Sequence, residues 1–306
     1  LATPAAMLTV TGALARSGVL VRRMQAIEAL TTIDTIIFDK TGTLTEDRMT
    51  IGAIASDKRL TEIEALQIAA ELAQYSLHPV SRALVEAAKK LPLEKVNPEI
   101  KNVQEVSGAG LKASSKYGEL KLGSAIFCGL DYDRNPQSNH NISKVHLVFK
   151  HSVSERGWLA SFEIVEAIKP DAVSAISTLQ EHNIHVEVLS GDQAASVAKV
   201  TERLGIEAYI AECTPDQKLA RLQTLQAQGH KVAMVGDGLN DGPVLAMAHV
   251  SIAMGQAVPL AQAQSDFVVM GGQLAMIPLL ITQAKRTMRI VKQNLTWAAA
   301  YNAICV

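Results

Sequence analysis

Asp39 follows the apolar run Thr35–Phe38 and heads the loop Asp39-Lys40-Thr41-Gly42-Thr43. A single aspartate at a strand end is usually a turn or cap residue. Here three other polar loops accompany it. Residues 186–189 are followed by Ser190-Gly191-Asp192, Thr214-Pro215-Asp216-Gln217-Lys218 opens a helical stretch, and 232–235 leads into Gly236-Asp237-Gly238-Leu239-Asn240-Asp241. Together they offer carboxylates, a hydroxyl, one lysine and several glycines, which is what phosphoryl transfer to a carboxylate requires. Asp39 would be the nucleophile and would form an acyl phosphate. Because nucleophile and phosphate are both anionic, charge compensation is the main task. Asp39 and Asp237 can share a Mg²⁺, a hard cation that takes oxygen ligands. Lys218 can neutralise one phosphoryl oxygen and Ser190 can donate a hydrogen bond to another. Gly42 and Gly191 let backbone amides come close without a Cβ in the way. Asn240 and Asp241 can hold the metal's water shell or orient Asp237. Each feature alone is weak; their joint occurrence in this order carries the reading.

These loops need elements to carry them. The short apolar runs 35–38, 186–189, 232–235, 250–253 and 267–270 read as strands buried on both faces. Helical patterns at 170–181, 194–204 and 215–228 lie between them, the last two ending before Gly205 and Gly229. Strands alternating with helices predict an α/β fold with a doubly wound parallel sheet, its ligand site beyond the carboxyl ends of the strands. The first two strands are about 150 residues apart, too far for one crossover. The intervening 50–160 reads as an inserted α+β domain. It has amphipathic helices at 62–74 and 80–90, hairpin strands around 107–122 and 144–160, and a polar surface loop at 131–144.

The segments "DKTGTLT", "TPDQK" and "GDGLNDGPVL" resemble the phosphorylation and hinge motifs of P-type ATPases, cation pumps of the haloacid-dehalogenase superfamily. The resemblance covers nearly the whole chain. It implies that Asp39 is the phosphorylated aspartate, Thr41 a neighbour of phosphate and Mg²⁺, and Lys218 the phosphate-binding lysine. It also implies that Asp237 and Asp241 are the Mg²⁺-site aspartates. Ser190 stands where the family usually has Thr and keeps the hydroxyl. "EAIKP", 166–170, resembles a hinge segment usually written with Asp and Arg. Many phosphatases of the superfamily carry an aspartate two residues after the nucleophile. Here Thr41 occupies that place and cannot do acid–base work near neutral pH, so the acyl phosphate is expected to persist. The family's dephosphorylating TGE sequence does not occur in the chain, and slow turnover is expected.

Within the inserted domain, "YSLHPVSRAL" puts His78-Pro79 at a helix start and "SGAGL" supplies Gly108 and Gly110. In this order they resemble the ATP pocket of heavy-metal P-type pumps, with the histidine at the adenine end. Two positions depart from that pattern. Ala73 stands where a glutamate is usual, with Glu71 two places earlier, and Gly123-Ser124 stands where Gly-Asn is usual. His140, His146, His151, His182, His185 and His249 lack ligand spacing and read as surface or core residues. Met234, Met247, Met254 and Met270 read as packing.

Charge is balanced, 29 basic against 30 acidic residues, so nothing suggests a nucleic-acid surface. Cys128, Cys213 and Cys305 are far apart and form no zinc or disulfide pattern. At the C-terminal end Lys285, Arg286, Arg289 and Lys292 precede Trp297 and an apolar run, like the cytoplasmic border of a transmembrane helix. The chain is read as a piece of a membrane protein cut inside a helix. Its expected layout is 1–33 helix end and linker, 34–49 and 161–282 phosphorylation domain, 50–160 nucleotide domain, and 283–306 the start of a transmembrane helix. "LATP" at the start resembles the stretch after Cys-Pro-Cys in heavy-metal pumps, and Tyr301-Asn302 resembles a copper-pump ligand pair suited to Cu(I). The wording of "HPVSRAL" and "PVLAMAHVSIAMG" is most similar to bacterial copper pumps of the cytochrome-oxidase-assembly type. The resemblance thus implies export of Cu(I) across a bacterial inner membrane, with the catalytic portion cytoplasmic, ATP and Mg²⁺ as cofactors, and a metallochaperone as partner. The alternatives are a Zn²⁺/Cd²⁺ or potassium pump, a soluble Mg²⁺-dependent phosphatase of the same superfamily, or a nucleotide-binding regulatory module.

Overall fold

Residues 2–92, 99–116, 118–130, 144–150, 156–237, 241–255 and 259–305 are described by the computed structural model. They divide into two units, Leu1–Glu46 with Ile168–Val306, and Asp47–Ala167. The sequence reading of the insertion, 50–160, is shorter at both ends than this second unit.

In the first unit, β1 (Val19–Val21), β2 (Thr35–Phe38), β9 (His185–Leu189), β10 (Ala208–Ile210), β11 (Val232–Gly236), β12 (Val250–Met254) and β13 (Phe267–Val269) form one sheet. Their order is β1-β13-β12-β11-β2-β9-β10. All neighbours pair in parallel except β1, which runs antiparallel to β13. β2 is therefore central, with β11 and β9 on either side. It is buried throughout because both faces are covered. Ile36 and Phe38 pack into the layer of α1 (Ala2–Arg16), α2 (Gln25–Leu30), α6 (Ala172–Glu181), α7 (Ala194–Leu204) and α11 (Met276–Cys305). Ile37 points the other way, into the layer of α8 (Pro215–Ala227) and α9 (Gly242–Met247), beside Leu222 and Val244. α10 (Pro259–Gln264) lies between β12 and β13 in sequence.

The second unit contains β3 (Thr45–Ser56), β4 (Lys101–Val106), β5 (Gly110–Ser115), β6 (Gly118–Gly123), β7 (Lys144–Lys150) and β8 (Arg156–Ile168) in the order β3-β8-β7-β6-β5-β4. From β4 to β8 each strand pairs antiparallel with the next. α3 (Glu62–Ala73) and α4 (Pro79–Lys89) supply Leu66, Leu72 and Leu84 to a core completed by Leu111, Leu120 and Phe162 from the sheet. The short α5 (Ala125–Cys128) is capped by the Ser124 hydroxyl. α3 starts with a reciprocal capping box between Thr61 and Glu64.

Three findings differ from the sequence reading. β1 and β10, three residues each, are too short to show a periodicity, and β4 ("KNVQEV") is largely exposed and polar. α6 begins at Ala172 and not at residue 170. α11 starts at Met276, ahead of the expected boundary at 283, and runs for 30 residues. Among the described residues no helix is long and apolar enough to cross a membrane. The loop 131–143, His140 and His151 lie outside the described residues.

Candidate active site

The carboxyl ends of β2, β9 and β11 are adjacent, so the loops that follow them share one edge of the sheet. The Asp39 amide donates to Val235 O at 2.9 Å, which fixes the aspartate against β11. Lys218 arrives from the first turn of α8, where Thr214 and Gln217 form a capping box and Pro215 occupies the first helical position. The Lys218 ammonium donates to Asp39 Oδ1 at 2.6 Å and to Asp241 Oδ1 at 2.9 Å. Carboxylate oxygens of Asp39, Asp237 and Asp241 all lie within 4.8 Å of one another. Lys218, Asp39 and Asp241 are buried.

The Lys218 ammonium is shared by two of the three carboxylates, and the charge of the third, Asp237, is felt by Lys169. Burial, then the charge of Asp241, push the Asp39 carboxyl up to about 7 against the pull of Lys218. Burial also works against the Lys218 charge, but Asp39 and Asp241 outweigh it and raise its pKa. Three carboxylates with oxygens this close together, two of them buried, fit a small divalent cation such as Mg²⁺. The backbone makes room for this cluster. Gly42 sits at φ +70°, and a Cβ there would overlap Asp237 Oδ2. A Cβ on Gly236 would come within 2.8 Å of Asp241 Oδ2. Gly42→Ala is thus expected to displace Asp237 and weaken the response to Mg²⁺ about tenfold or more, read as the metal concentration that half-restores thermal stability.

A second group surrounds Asp192. Its Oδ2 accepts from Lys40 Nζ at 2.9 Å, from Thr41 Oγ1 at 3.0 Å and from Ser190 Oγ at 3.0 Å. Burial opposes this charge, but Lys40, Ser190 and Thr41 outweigh it and hold the Asp192 carboxyl below its ordinary range. The Thr41 hydroxyl is therefore tied to Asp192. The structure brings Asp39, Thr41, Ser190, Lys218, Asp237 and Asp241 to one edge, with Gly191 beside Cys213 O, where a Cβ would make a 3.4 Å contact. Gly238, Leu239 and Asn240 lie outside the described residues, and with them the water-shell role expected of Asn240. Sequence reading assigned no role to Lys40 or Asp192. The available signal was a charged residue directly after Asp39 and an aspartate two places after Ser190.

The second unit holds a cavity of about 160 Å³. His78, Gly108 and Gly110 line it, joined by Ser76, Glu105 and Gly123. His78 is the N-cap of α4, with Pro79 next in the first helical position. The His78 ring accepts from Val80 N through Nδ1 at 3.3 Å. Gly108 has φ +69° and open space where a Cβ would be; a Cβ on Gly110 would collide with Leu122 O. Glu71 and Ala73 are not among the described lining residues. Glu105, a carboxylate that sequence reading did not single out, is there instead, three residues before Gly108 on an exposed strand. Tyr301 and Asn302 are exposed on the last turns of α11. Among the described residues, Asp39, Asp237 and Asp241 form the one group of three or more His, Cys, Asp or Glu side chains suited to a metal.

The sequence model of the haloacid dehalogenase-like hydrolases matches residues 33–249. The chain belongs to the haloacid dehalogenase-like hydrolase family. As such a hydrolase it is 33% identical, over all of its length, to a probable copper-exporting P-type ATPase V from Mycobacterium tuberculosis, of which the match spans 40%. It superposes on a zinc-transporting PIB-type ATPase in its E2.Pi state with a TM-score of 0.79 and 28% identity, covering 99% of this chain and 49% of that one. The catalytic domain of a CPx-ATPase, CopB-B, studied for conformational changes upon nucleotide binding, matches at TM-score 0.58 and 25% identity over 89% of this chain and 98% of that domain. The hydrolase chain thus spans less than half the length of the transporters it matches.

Proposed function

We propose that the chain is the ATP-hydrolysing part of a P-type cation pump, and that Asp39 accepts the γ-phosphoryl group of ATP. The observation that supports this most is the buried cluster of Asp39, Lys218, Asp237 and Asp241 at the carboxyl edge of a parallel sheet. A carboxylate held rigidly by its own amide, with one oxygen against a lysine, is oriented for in-line attack. Lys218 then compensates charge on a phosphoryl oxygen as the acyl phosphate forms. Ser190 and Thr41 exchange Asp192 for phosphoryl oxygens as hydrogen-bond acceptors. Mg²⁺, held by Asp39, Asp237 and Asp241, supplies Lewis-acid charge neutralisation when bound. Thr41 provides no general base two residues after the nucleophile, so the acyl phosphate persists long enough to drive a conformational step.

ATP binding is assigned to the second unit, with His78, Pro79, Gly108 and Gly110 around the base. His78→Ala is expected to weaken ATP binding about tenfold, measured by calorimetry; unchanged affinity contradicts the assignment. The exported ion is proposed to be Cu(I), on the strength of copper-exporting relatives and of Tyr301 and Asn302 as ligand candidates, with Zn²⁺ as the alternative suggested by the zinc-transporting neighbour. A pump of this kind acts in a bacterial inner membrane with these units on the cytoplasmic side, and a metallochaperone is its expected ion donor. Incubation with γ-labelled ATP and Mg²⁺ tests the reading. An acid-stable, hydroxylamine-sensitive adduct is expected, and its absence would overturn the reading in favour of a nucleotide-binding module without chemistry.

A further inference from the structure

The cavity in the second unit has a polar edge joined by hydrogen bonds. The His78 amide donates to Ser76 Oγ at 3.1 Å, and the Ser76 hydroxyl donates to Glu105 Oε1 at 2.6 Å. Ser76 is buried, so the hydroxyl that holds the carboxylate is itself fixed. Glu105 is the one carboxylate among the described lining residues, and Ser76 is its one described partner. Leu84, Leu111, Leu122 and Val145 supply apolar lining. At about 160 Å³ it is smaller than the ~300–1,000 Å³ of pockets that enclose a whole drug-sized ligand, so it takes only one ring system of a larger molecule. At Gly108 the backbone is bare and open, so a flat ring can lie against it.

We infer that Glu105, oriented by Ser76, determines specificity in this cavity by accepting a hydrogen bond from the exocyclic amine of a 6-aminopurine. This rests on the reading of the cavity as the site for the base of ATP. An adenine joined to ribose through N9 has one strong N–H donor left, its 6-amino group, and a carboxylate acceptor in the cavity matches that group alone. The His78 ring complements it. Because Nδ1 accepts from Val80 N–H, the neutral ring carries its proton on Nε2, a donor suited to a purine ring nitrogen. A 6-oxopurine puts a carbonyl oxygen where the amine would be and faces the carboxylate with a second acceptor. The position of Glu105 on β4 also accounts for Ala73 at the end of α3: the acceptor is supplied from the sheet and not from the helix.

The test is nucleotide binding by the whole chain, with ATP and inosine triphosphate as ligands. The two differ at position 6, amine against carbonyl, and at N1, an acceptor in adenine and an N–H donor in the 6-oxopurine. The unsubstituted protein is expected to prefer ATP by about tenfold or more, the size of one hydrogen bond to a charged group. Glu105→Ala is expected to weaken ATP about tenfold and bring the two affinities within about twofold of each other. Glu105→Gln, isosteric and on an exposed strand, is expected to narrow the ratio as well, because its amide serves either purine. A melting temperature unchanged in both variants shows that the ratio reports recognition and not folding. If His78→Ala weakens ATP while both Glu105 variants keep the full preference, the role of Glu105 is wrong and the cavity reading stands. If the unsubstituted protein does not discriminate, the role of Glu105 is likewise wrong. If His78→Ala leaves ATP affinity unchanged, the cavity reading fails and the inference falls with it.

Discussion

Asp39→Asn is expected to remove the ATP-dependent adduct completely while making the protein more stable. Both effects follow from the same cluster. The amide oxygen cannot form an acyl phosphate, so no residual labelling is expected in acid gels. Without Mg²⁺, the native site holds the buried Asp39 and Asp241 carboxylates on one ammonium, with the half-buried Asp237 carboxylate close by. The Asp39 carboxyl lies near 7 in the folded protein and at 3.8 as its ordinary value. An acid whose pKa is raised by folding binds more protons in the native state, so stability falls as pH rises between those two values. The metal-free protein should therefore melt at lower temperature at pH 7.5 than at pH 5, and Asp39→Asn should remove most of that difference. At neutral pH the variant should melt a few degrees higher, about 2–4 °C for each kcal/mol of relieved repulsion. Mg²⁺ should raise the melting temperature of the unsubstituted protein more than that of the variant. A variant that is less stable at neutral pH would show that Lys218 already satisfies Asp39 in full.

Lys218→Met should have the opposite effect on stability and an equally severe one on phosphorylation. The substitution keeps much of the stem volume and removes the cation between Asp39 and Asp241. Breaking a buried pair from one side leaves uncompensated charge, which costs about 3–5 kcal/mol in general. Here the deficit should be largest near pH 8 and shrink toward pH 5, because protonated carboxylates need no counter-charge. The rate of adduct formation should drop about 10²–10³-fold, the size of one preorganised charge-stabilising group. Thermal melts at two pH values and single-turnover labelling check the two halves separately. Normal labelling in a destabilised variant would make Lys218 a structural counter-ion only.

The parts of this architecture that could be read from the sequence are those with a strong local physical signature. Residues 36–38 and 232–235 are apolar without interruption, and 250–253 apart from Ser251, because helices cover both faces of the sheet, and that pattern survives without any knowledge of partners. Glycines marked the ends of α7 and α8, Gly205 after the first and Gly229 after the second. The site was legible because three of its polar loops follow buried strands, so parallel order brings Asp39, Ser190 and Asp237 together, while Lys218 enters from a helix start. β1 and β10 were not legible, since a three-residue edge strand is specified by its neighbour and not by its own sequence. The role of Asp192 was hidden for a similar reason. Lys40 and Thr41 come from one loop, and Ser190 and Asp192 from another 150 positions later, so their shared hydrogen bonds exist only after β2 and β9 pair. Glu105 escaped notice because β4 is polar and exposed, and nothing in "KNVQEV" separates a ligand-facing carboxylate from a solvated one.

Identifying the residue that carries the phosphoryl group tests the central claim most directly. The protein is incubated with ATP and Mg²⁺, quenched in acid and reduced with borohydride, which converts an aspartyl phosphate to homoserine, and the peptides are mapped by mass spectrometry. The account predicts homoserine at position 39, dependent on both ATP and Mg²⁺, and at no other aspartate. Conversion at a different residue, or consumption of ATP with position 39 unmodified at every time point, would contradict it.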